Sequence, residues 1–523
     1  MLATTSGNYG FALVLANERA THRLAMDVAA ILAPGDLVTL SGDLGAGKTT
    51  FARALIRHLA GDPGLEVPSP TFTLVQAYPL ARLPVVHGDL YRVNAPEELT
   101  ELGFNEAAED AAVLLEWPDR IGDRLPADRL DIAFGLAPRL GLNARHAQIT
   151  GHGGFAPRAR RLETVRRFLD EVGFADAARE YIQGDASTRS YERLTAGTRR
   201  AVLMNAPRRP DGPPVRNGLA YSAIAHLAED VKPFVAMARA LKARGLSAPE
   251  LYAADLADGL LIIEDLGTEP VASGNPPGPI EERYAAAVDL LVALHREPLP
   301  ASLPVAPSVD HRLPPYDLDA LLIEAELLVD WYIPHRGSAV SAVAKAEFAT
   351  LWRAALARAA QAPATWVLRD FHSPNLMWLP DREGIARVGL LDFQDALAGP
   401  PAYDLVSLLQ DARVDVPETL EVTLLGRYAK ARHAADNDFD VTAFIELYAT
   451  LGAQRATKIL GIFARLDRRD GKPQYLRHMP RVWRYLRRSL SHPALAPLKA
   501  WYDAHVPAAP EVPAAPEPPD VPG

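Results

Sequence analysis

The sequence contains no cysteine. Without a thiol the chain has no disulfide bond, no thiolate metal site and no cysteine nucleophile. This absence is compatible with a reducing compartment, and we expect the protein in the cytoplasm. Residues 1–35 lack a basic segment followed by a long apolar core, which predicts that there is no signal peptide. No stretch approaches the roughly 20 apolar residues of a membrane helix, so no membrane contact is expected.

An excess of positive charge is also lacking, because the formal net charge is -10. Such a chain has no global electrostatic attraction for nucleic acid, although a local basic patch would still bind it. Apolar residues make up 48% and charged residues 23% of the chain, as is typical of a globular protein. At 523 residues the chain is too long for one ordinary core, which predicts two or three domains.

The first part of the chain alternates short apolar runs with helical patterns, from "DLVTLS" to "LDIAFGL". This alternation predicts an α/β domain with a mainly parallel sheet. We place the domain at residues 1–152, where "TGHGGFAPRARR" interrupts the pattern, and a linker at 153–160. The stretch "RLETVRRFLDEVGF" then predicts a helix that opens a second domain.

The remaining chain changes from strand-like runs to long amphipathic helical patterns. "SYERLT", "RAVLMNAP" and "DGLLIIEDLG" predict strands, whereas "RYAAAVDLLVALHR" predicts a helix. We therefore expect a second domain at 161–503, with a β-rich small lobe over about 161–268 and a helical lobe over about 269–503. The Pro-rich end, 504–523, is predicted to be disordered.

"GDLGAGKT" matches the P-loop pattern, between a strand-like run and a helical pattern. Glycines in such a loop allow backbone N–H groups to surround phosphate oxygens at a helix N-terminus. The pattern predicts that Lys48 reaches the outer phosphates and that the Thr49 hydroxyl ligates Mg²⁺. The predicted nucleotide-binding residues are Gly42, Asp43, Leu44, Gly45, Ala46, Gly47, Lys48, Thr49 and Thr50.

Two carboxylates follow apolar runs downstream, Asp89 in "LPVVHGDL" and Glu116 in "AVLLEW". The carboxyl ends of parallel strands carry the ligand-side residues of an α/β sheet, which favours a role at the nucleotide. Carboxylates at strand ends are also common as ordinary surface charges, so both interpretations stay open on the residues alone. Trp117 is consistent either with a packed aromatic residue or with a stacking surface.

The combination of "GDLGAGKTT", "SPTFTLV", "DLYR" and "EW" resembles the TsaE family of P-loop ATPases, over about residues 10 to 150. That family serves bacterial threonylcarbamoylation of tRNA. The resemblance implies that Asp89 and Glu116 work with Mg²⁺ and the attacking water. It also implies that Ser69–Thr73 form a switch-like loop near the γ-phosphate.

The resemblance further implies a partner, the TsaD–TsaB threonylcarbamoyl transferase complex, which the ATPase would reset between turnovers. The first domain shows no stripe of basic and aromatic residues. Direct recognition of tRNA bases by this domain is therefore not supported, and tRNA is expected as an indirect partner only.

A second phosphate-handling pattern lies in "RDFHSPNLM" and "LLDFQDALAGPPAYDLVSLL". Asp370 and Asn375 are separated by four residues, and Asp392 follows an apolar run. This spacing matches the kinase arrangement of a catalytic base, a Mg²⁺-binding amide and a Mg²⁺-binding carboxylate. A single aspartate of this kind is often a loop charge or a helix cap, but the complete set predicts phosphoryl transfer.

These stretches, with "GDASTRSYERL", "LLIIEDLG" and "KILGIFARLDRRDGKPQYL", resemble the aminoglycoside phosphotransferase superfamily over about residues 160 to 500. Within it they are similar to the anomeric kinases of N-acetylmuramate and N-acetylglucosamine. The resemblance implies a two-lobed kinase-like fold that transfers the γ-phosphoryl group of ATP to the C1 hydroxyl of an amino sugar, as in recycling of cell-wall sugars. It also implies adenine against the backbone from Glu264 to Leu266 and a phosphate-covering loop at Gly184–Tyr191.

Three positions depart from the protein-kinase pattern. Met204 or Asn205 occupies the neighbourhood of the usual strand lysine, which argues against a protein kinase more than against catalysis. Leu368 replaces the usual histidine before Arg–Asp. His372 lies inside the loop and either packs locally or contacts the substrate.

The sequence therefore predicts an α/β P-loop NTPase domain followed by a two-lobed protein-kinase-like phosphotransferase domain. Both are expected to use ATP and Mg²⁺, with catalytic roles for Lys48, Asp89, Glu116 and Asp370. An alternative is a nucleotide-dependent binding module fused to a pseudokinase scaffold. A single enzyme with two cooperating sites is a third interpretation, although each half has a nucleotide signature of its own.

Overall fold

The computed structural model describes residues 7–71, 73–92, 110–121, 125–182 and 189–508. Apart from those gaps, the described residues divide into two compact units. The first unit contains residues 7–182 and 190–205, and the second contains residues 189 and 206–508. The residues predicted for the small lobe are thus shared between the two units. Most of the predicted Pro-rich tail, from residue 509 onward, lies outside the described residues.

Within its described residues, the first unit contains short strands, three α-helices and a 3-10 turn at Pro118–Arg120. In chain order these elements are β1 (Tyr9–Leu15), α1 (Glu18–Ala29), β2 (Leu37–Ser41), α2 (Lys48–Ala60), β3 (Val75–Tyr78), β4 (Val85–Asp89), β5 (Ala112–Glu116), β6 (Arg129–Leu136), β7 (Arg145–His152), α3 (Phe155–Glu171), β8 (Ala178–Ile182), β9 (Ser190–Ala196) and β10 (Arg199–Asn205).

Among the described residues, β1 to β7 form one mixed sheet in the order β1-β7-β6-β2-β5-β4-β3. The centre is parallel, since β2 pairs with β5 and β6 and β4 pairs with β5 in that sense. The pairs β1–β7, β6–β7 and β3–β4 are antiparallel. The predicted mainly parallel arrangement therefore holds only at the centre, because the short β3–β4 and β6–β7 connections allow only antiparallel neighbours.

Helix α3 begins at Phe155, inside the segment predicted to be a linker. It packs closely on β7, because a Cβ atom on Gly151 would lie 2.6 Å from the Phe155 carbonyl oxygen and 2.8 Å from Ala159 Cβ. The Tyr9 hydroxyl of β1 donates a hydrogen bond to Glu163 of the helix. The helix that was predicted to open the second domain therefore packs on the first sheet.

A buried ion cluster joins α1 to α3 and to the β8–β9 hairpin of the same unit. Arg179 donates to Glu192 through Nε over 2.6 Å and through a terminal nitrogen over 2.9 Å. Arg179 and Arg166 each also pair with Asp27 of α1. Asp27, Arg179 and Glu192 are at most 7% exposed. Charges buried this deeply require partners, so the cluster fixes these elements against one another.

The second unit combines small hairpins with many helices. Its elements are β11 (Pro214–Arg216), β12 (Leu219–Ala220), α4 (Tyr221–Ile224), α5 (Lys232–Lys242), β13 (Leu251–Asp255), β14 (Leu260–Ile263), β15 (Ala272–Ser273), β16 (Gly278–Pro279), α6 (Glu281–Leu294), β17 (Leu303–Ala306), β18 (Val309–His311), α7 (Leu318–Leu327), α8 (Ile333–His335), α9 (Ala342–Gln361), β19 (Thr365–Val367), β20 (Leu376–Trp378), β21 (Val388–Leu390), β22 (Leu397–Gly399), α10 (Ala402–Leu409), α11 (Glu418–Ala435), α12 (Val441–Asp470), α13 (Met479–Leu490) and α14 (Ala496–His505).

The long helix α12 forms the centre of the helical part. Gly461 permits the closest approach to α7, since a Cβ atom there would lie 2.4 Å from the Leu327 carbonyl carbon. The strand predictions at "SYERLT", "RAVLMNAP" and "DGLLIIEDLG" are confirmed by β9, β10 and β14, and the helix at "RYAAAVDLLVALHR" by α6. Within the described ranges, no helix combines the length and the apolar character needed to cross a membrane.

We predict that Arg179→Met lowers the midpoint of thermal unfolding of the first unit. The substitution leaves two buried carboxylates without their shared guanidinium, and breaking a buried ion pair costs about 3–5 kcal/mol. Differential scanning calorimetry of the full chain measures the change. Arg19→Met is the control, because the Arg19 side chain is 70% exposed and its ion pair with Asp176 spans 3.8 Å. Equal midpoints for Arg179→Met and Arg19→Met would contradict a stabilising role for the cluster.

Candidate active sites

The loop between β2 and α2 has the backbone conformation of a phosphate cradle. Gly42, Gly45 and Gly47 have φ angles of 126°, 77° and 112°, which side-chain-bearing residues rarely adopt. A Cβ atom on Gly42 would lie 2.2 Å from the Phe134 carbonyl oxygen. The loop opens directly onto the first turn of α2, where unpaired N–H groups and the helix dipole favour an anion. The geometry therefore fits a bound phosphate chain.

Lys48 lies inside this loop. Its Nζ donates to the carbonyl oxygens of Gly42 over 2.7 Å and Asp43 over 3.0 Å, and it lies 3.8 Å from the centre of the Trp117 ring. Burial lowers the pKa of Lys48, while the carboxylates of Glu116, Asp89 and Asp43 act against that shift. The ammonium group is thus held at the loop by weak partners that a phosphate oxygen would outcompete.

The carboxyl ends of two parallel strands bring Asp89 and Glu116 together. They are direct partners in the register of β4 and β5, and both are nearly fully buried. Thr49 Oγ1 donates to Glu116 Oε2 over 3.1 Å, and His87 Nε2 hydrogen-bonds to Glu116 Oε1 over 3.1 Å. The structure thus places the predicted Thr49, Asp89 and Glu116 at one edge of the sheet, and the His87 contact is one that the sequence analysis missed.

The predicted switch-like loop contacts the same edge. Thr71 Oγ1 donates to Asp89 Oδ2 over 2.8 Å, and Ser69 Oγ lies 2.8 Å from Thr71 Oγ1. Phe72, within the same predicted loop, lies outside the described residues. Trp117 packs against Lys48 and also against Tyr91, with ring centres 5.1 Å apart. The described part of the loop is therefore coupled to a candidate metal-binding carboxylate.

In the second unit, the predicted catalytic loop brings Asp370, Asn375 and Asp392 together. Asn375 Nδ2 donates to the Asp370 carbonyl oxygen over 2.9 Å, and Leu391 N donates to the Asn375 carbonyl oxygen over 2.9 Å. The β20–β21 hairpin, which pairs Leu376 with Leu390, aligns the residues on either side. The amide and the two carboxylates therefore belong to one local arrangement.

The environment of Asp392 fits a carboxylate that binds a cation. Burial, reinforced by the negative charge of Asp370, raises the pKa of Asp392 to about 6. Arg189 donates to Asp392 Oδ1 over 3.0 Å, and Gln394 Nε2 donates to the same oxygen over 2.9 Å. Within the described ranges, no group of three His, Cys, Asp or Glu side chains is arranged to hold a metal. Mg²⁺ commonly uses only one or two protein ligands beside phosphate oxygens, which an Asn–Asp pair satisfies.

Two further aspartates, whose role is not evident from the sequence pattern, position the catalytic loop. Asp404 accepts hydrogen bonds from the backbone N–H groups of Leu368 over 2.6 Å and Arg369 over 2.8 Å. Asp411 accepts from Ser373 N over 2.9 Å and from Ser373 Oγ over 2.6 Å. Both carboxylates are fully buried, so they fix the loop from its inner side. Asp404 lies within "PAYDL", but its partners are distant in sequence.

The positions that depart from the protein-kinase pattern have structural roles. Met204 is 1% exposed, and Asn205 Oδ1 accepts from Arg161 over 2.6 and 3.0 Å. Leu368 is 3% exposed and therefore part of the core. His372 is 9% exposed, and burial lowers its pKa, which agrees with local packing.

The predicted adenine site at Glu264–Leu266 lies within the described residues, whereas most of the predicted phosphate-covering loop lies outside them. Glu264 N donates to the Glu250 carbonyl oxygen over 2.8 Å, and its carboxylate accepts from Arg382 over 2.5 Å. Leu266 is 6% exposed. Residues 183–188 of the predicted loop lie outside the described residues. The adenine-binding role of Glu264 and Leu266 remains a prediction.

Both halves of the chain match known protein families. The family model of the threonylcarbamoyl adenosine biosynthesis protein TsaE matches residues 15–139. The family model of the phosphotransferase enzyme family matches residues 179–445, slightly more than half of the chain. The chain is a member of both families. It joins a TsaE domain to a kinase domain, and its activities are those of an ATPase and a phosphotransferase that use ATP.

Two sequence relatives agree with this assignment. The chain is 44% identical over 353 residues to the N-acetylmuramate/N-acetylglucosamine kinase of Caulobacter vibrioides, a match of 65% of this chain and 95% of the relative. It is 43% identical over 120 residues to the tRNA threonylcarbamoyladenosine biosynthesis protein TsaE of Rickettsia felis, a match of 23% of this chain and 70% of the relative. The ADP-bound aminoglycoside phosphotransferase APH(2'')-Ib matches 61% of this chain and 96% of its own, at 14% identity and a TM-score of 0.39.

We predict that Gly42→Ala weakens ATP binding by the TsaE domain at least about tenfold. The new Cβ atom would overlap the Phe134 carbonyl oxygen, and alanine is strained at a φ of 126°. The ATP dependence of sugar-independent phosphate release, measured in a background of Asp370→Ala, reports on the first site, because the kinase site then has neither an acceptor sugar nor its base. Gly135→Ala is the matched control, since a Cβ atom at that position would have no other atom within 4 Å. Unchanged affinity in Gly42→Ala would show that the cradle does not hold the phosphates.

Proposed function

We propose that the TsaE domain hydrolyses ATP in support of N6-threonylcarbamoyladenosine formation on tRNA, with a TsaD–TsaB-type complex as its partner. The main support is the group formed by Thr49, Glu116 and Asp89, which lies beside the P-loop lysine. In this proposal Lys48 neutralises the outer phosphates and residues 42–50 surround them with backbone N–H groups. Thr49, Asp89 and Glu116 hold Mg²⁺ and orient the attacking water.

The link between Thr71 and Asp89 supports a switch in this domain. Because Thr71 Oγ1 donates to Asp89 Oδ2, a change at the phosphate end alters the position of the loop that carries Thr71. We infer that this loop signals the nucleotide state to the protein partner. The tRNA itself is contacted only indirectly in this proposal.

We propose that the kinase domain phosphorylates the anomeric hydroxyl of N-acetylmuramate and N-acetylglucosamine, as in recycling of cell-wall sugars. The observation that carries this proposal is the assembly of Asp370, Asn375 and Asp392 by the β20–β21 hairpin. Asp370 accepts the proton of the C1 hydroxyl while the C1 oxygen bonds to the γ-phosphorus and the bond to the leaving ADP oxygen breaks.

Asn375 and Asp392 are the proposed metal ligands of the kinase site. Mg²⁺, when bound there, neutralises charge on the phosphate oxygens. Adenine is proposed to lie against the backbone near Glu264 and Leu266. The use of ATP and both proposed pathways favour a location in the cytoplasm.

The central experiment measures both activities in the full chain and in two variants. Lys48→Ala should reduce sugar-independent phosphate release about 10²–10³-fold and leave sugar 1-phosphate formation unchanged, because Lys48 belongs only to the first site. Asp370→Ala should reduce sugar 1-phosphate formation about 10²–10⁴-fold and leave phosphate release unchanged, because the base is lost. Phosphate release is followed by a coupled assay and the sugar product by ³¹P NMR.

Each variant is the control for the other. Sugar phosphorylation that survives Asp370→Ala would make the kinase assignment wrong. Loss of both activities in either single variant would favour one enzyme with two cooperating sites, and a wild-type chain without either activity would favour the binding module with a pseudokinase scaffold.

A separate prediction concerns the TsaD–TsaB partner. Added to a reconstituted TsaD–TsaB reaction with tRNA, the wild-type chain should increase multiple-turnover formation of threonylcarbamoyladenosine. Lys48→Ala should not increase it, whereas Asp370→Ala should act like the wild type. Mass spectrometry of nucleosides from digested tRNA measures the product. A wild-type chain that hydrolyses ATP but leaves the modification rate unchanged would contradict the proposed partner.

A further inference from the structure

A cavity of about 720 Å³ lies within the second unit. Its wall includes Tyr221 of α4, Trp331 of the π-helical turn Leu328–Tyr332, and Arg465 near the end of α12. Arg465 belongs to "KILGIFARLDRRDGKPQYL", whose residues have no role in the phosphoryl-transfer group described above. Aromatic side chains and a few polar groups around a volume of this size are typical of a small-molecule site.

The cavity adjoins the candidate reaction centre. It shares Ala228 and Glu229 with a smaller cavity whose wall includes Arg189. Arg189 lies 3.0 Å from the Asp392 carboxylate. Ala228 N also donates to Asp395 Oδ1 over 2.6 Å. A sugar in the larger cavity would therefore lie beside the phosphate end of the site.

The carboxylates in the cavity wall already have hydrogen-bond donors in the protein. Three carboxylates line the cavity, and each accepts a hydrogen bond from its own donor: Asp211 from Ser222 over 2.5 Å, Glu229 from Arg208 over 3.2 Å, and Asp330 from Lys345 over 3.0 Å. Arg469, also in the wall, forms a two-bond pair with Asp470 over 2.7 and 2.9 Å. These charged groups are therefore already occupied.

Arg465 differs from them, because its side-chain partner is the neutral Tyr221 and one of its donors is left over. Within the described part of the chain, its Nε is buried and has no hydrogen-bond partner. Its guanidinium lies over the Tyr221 ring, 5.3 Å from the ring centre, and burial lowers its pKa. A buried N–H group without an acceptor is costly, so this site favours a ligand that brings an anionic acceptor.

We propose that Arg465 binds the carboxylate of the lactyl ether group of N-acetylmuramate, with Tyr221 and Trp331 against the sugar. This inference rests on the proposed sugar-kinase function. A guanidinium group matches a carboxylate in shape and charge, and such pairs are stronger than neutral hydrogen bonds. N-acetylglucosamine has a hydroxyl group in place of the lactyl ether, so it lacks this contact. Arg465 thus determines preference between the two sugars and takes no part in the chemical step.

The test compares kcat/KM for the two sugars in the full chain. Arg465→Met keeps much of the side-chain volume but removes the charge. It should lower kcat/KM for N-acetylmuramate about tenfold to a hundredfold, the usual effect of losing a charge-assisted hydrogen bond. The value for N-acetylglucosamine and the KM for ATP should stay within about twofold. Arg465→Lys should recover part of the lost kcat/KM for N-acetylmuramate, because lysine restores the positive charge but not the two parallel N–H donors of a guanidinium group.

Arg468→Met is the matched control on the same helix. Arg468 is exposed and donates to the Pro334 carbonyl oxygen over 2.9 Å, so this variant should keep the wild-type preference. Equal losses for both sugars in Arg465→Met, or an unchanged preference, would overturn the inference. A raised KM for ATP would overturn it too, by assigning the arginine to a phosphate group. A wild-type chain that phosphorylates neither sugar would reject the proposed function, and the inference with it.

Discussion

Hydrogen bonds from backbone N–H groups to two buried carboxylates hold the kinase loop in place. The loop requires this support because Arg369 has a φ angle of 69°, in the left-handed region that residues with side chains rarely occupy. Asp404 fixes the loop at its start and Asp411 fixes it near its middle. The energy of these bonds offsets the strain at Arg369, the residue that precedes Asp370.

In the TsaE domain, the candidate metal-binding carboxylates are positioned in a different way. There the positions come from the ends of parallel strands, which place Asp89 beside Glu116 without unusual backbone angles at either residue. In the P-loop, glycine adopts unusual angles at little cost, whereas Leu74 and Trp117, which directly follows Glu116, have φ angles of 63° and 61°. Glu116 connects the strand end to Thr49 of α2. A rigid sheet edge therefore supports the phosphate cradle, and the described part of the adjacent loop is attached to it through Thr71.

Features that residues close in sequence create could be predicted, whereas features that depend on residues far apart in sequence could not. The P-loop and the triplet of Asp370, Asn375 and Asp392 are short patterns, and the structure assembled each as a local group. Asp404 escaped notice because its partner Leu368 is 36 residues away. The predicted parallel direction of the strands was wrong at the edges of the first sheet, because an alternation of apolar runs does not show which strands form hairpins. Helix α3 was predicted to open the second domain but packs on the first sheet. An amphipathic pattern predicts a helix without identifying the surface that the helix covers.

The ion cluster of Asp27, Arg166, Arg179 and Glu192 joins residues of both family matches within the first unit. The TsaE family match ends at residue 139, and the kinase match begins at residue 179. Asp27 comes from the first matched region, whereas Arg179 and Glu192 come from the second. A chain divided between the two matches would keep Arg179 with Glu192 but would separate Arg179 from Asp27. Residues 179–182 and 190–205 of the kinase match therefore belong to the compact unit that contains the TsaE match, so a separately expressed kinase region would lack the surface that buries Arg179.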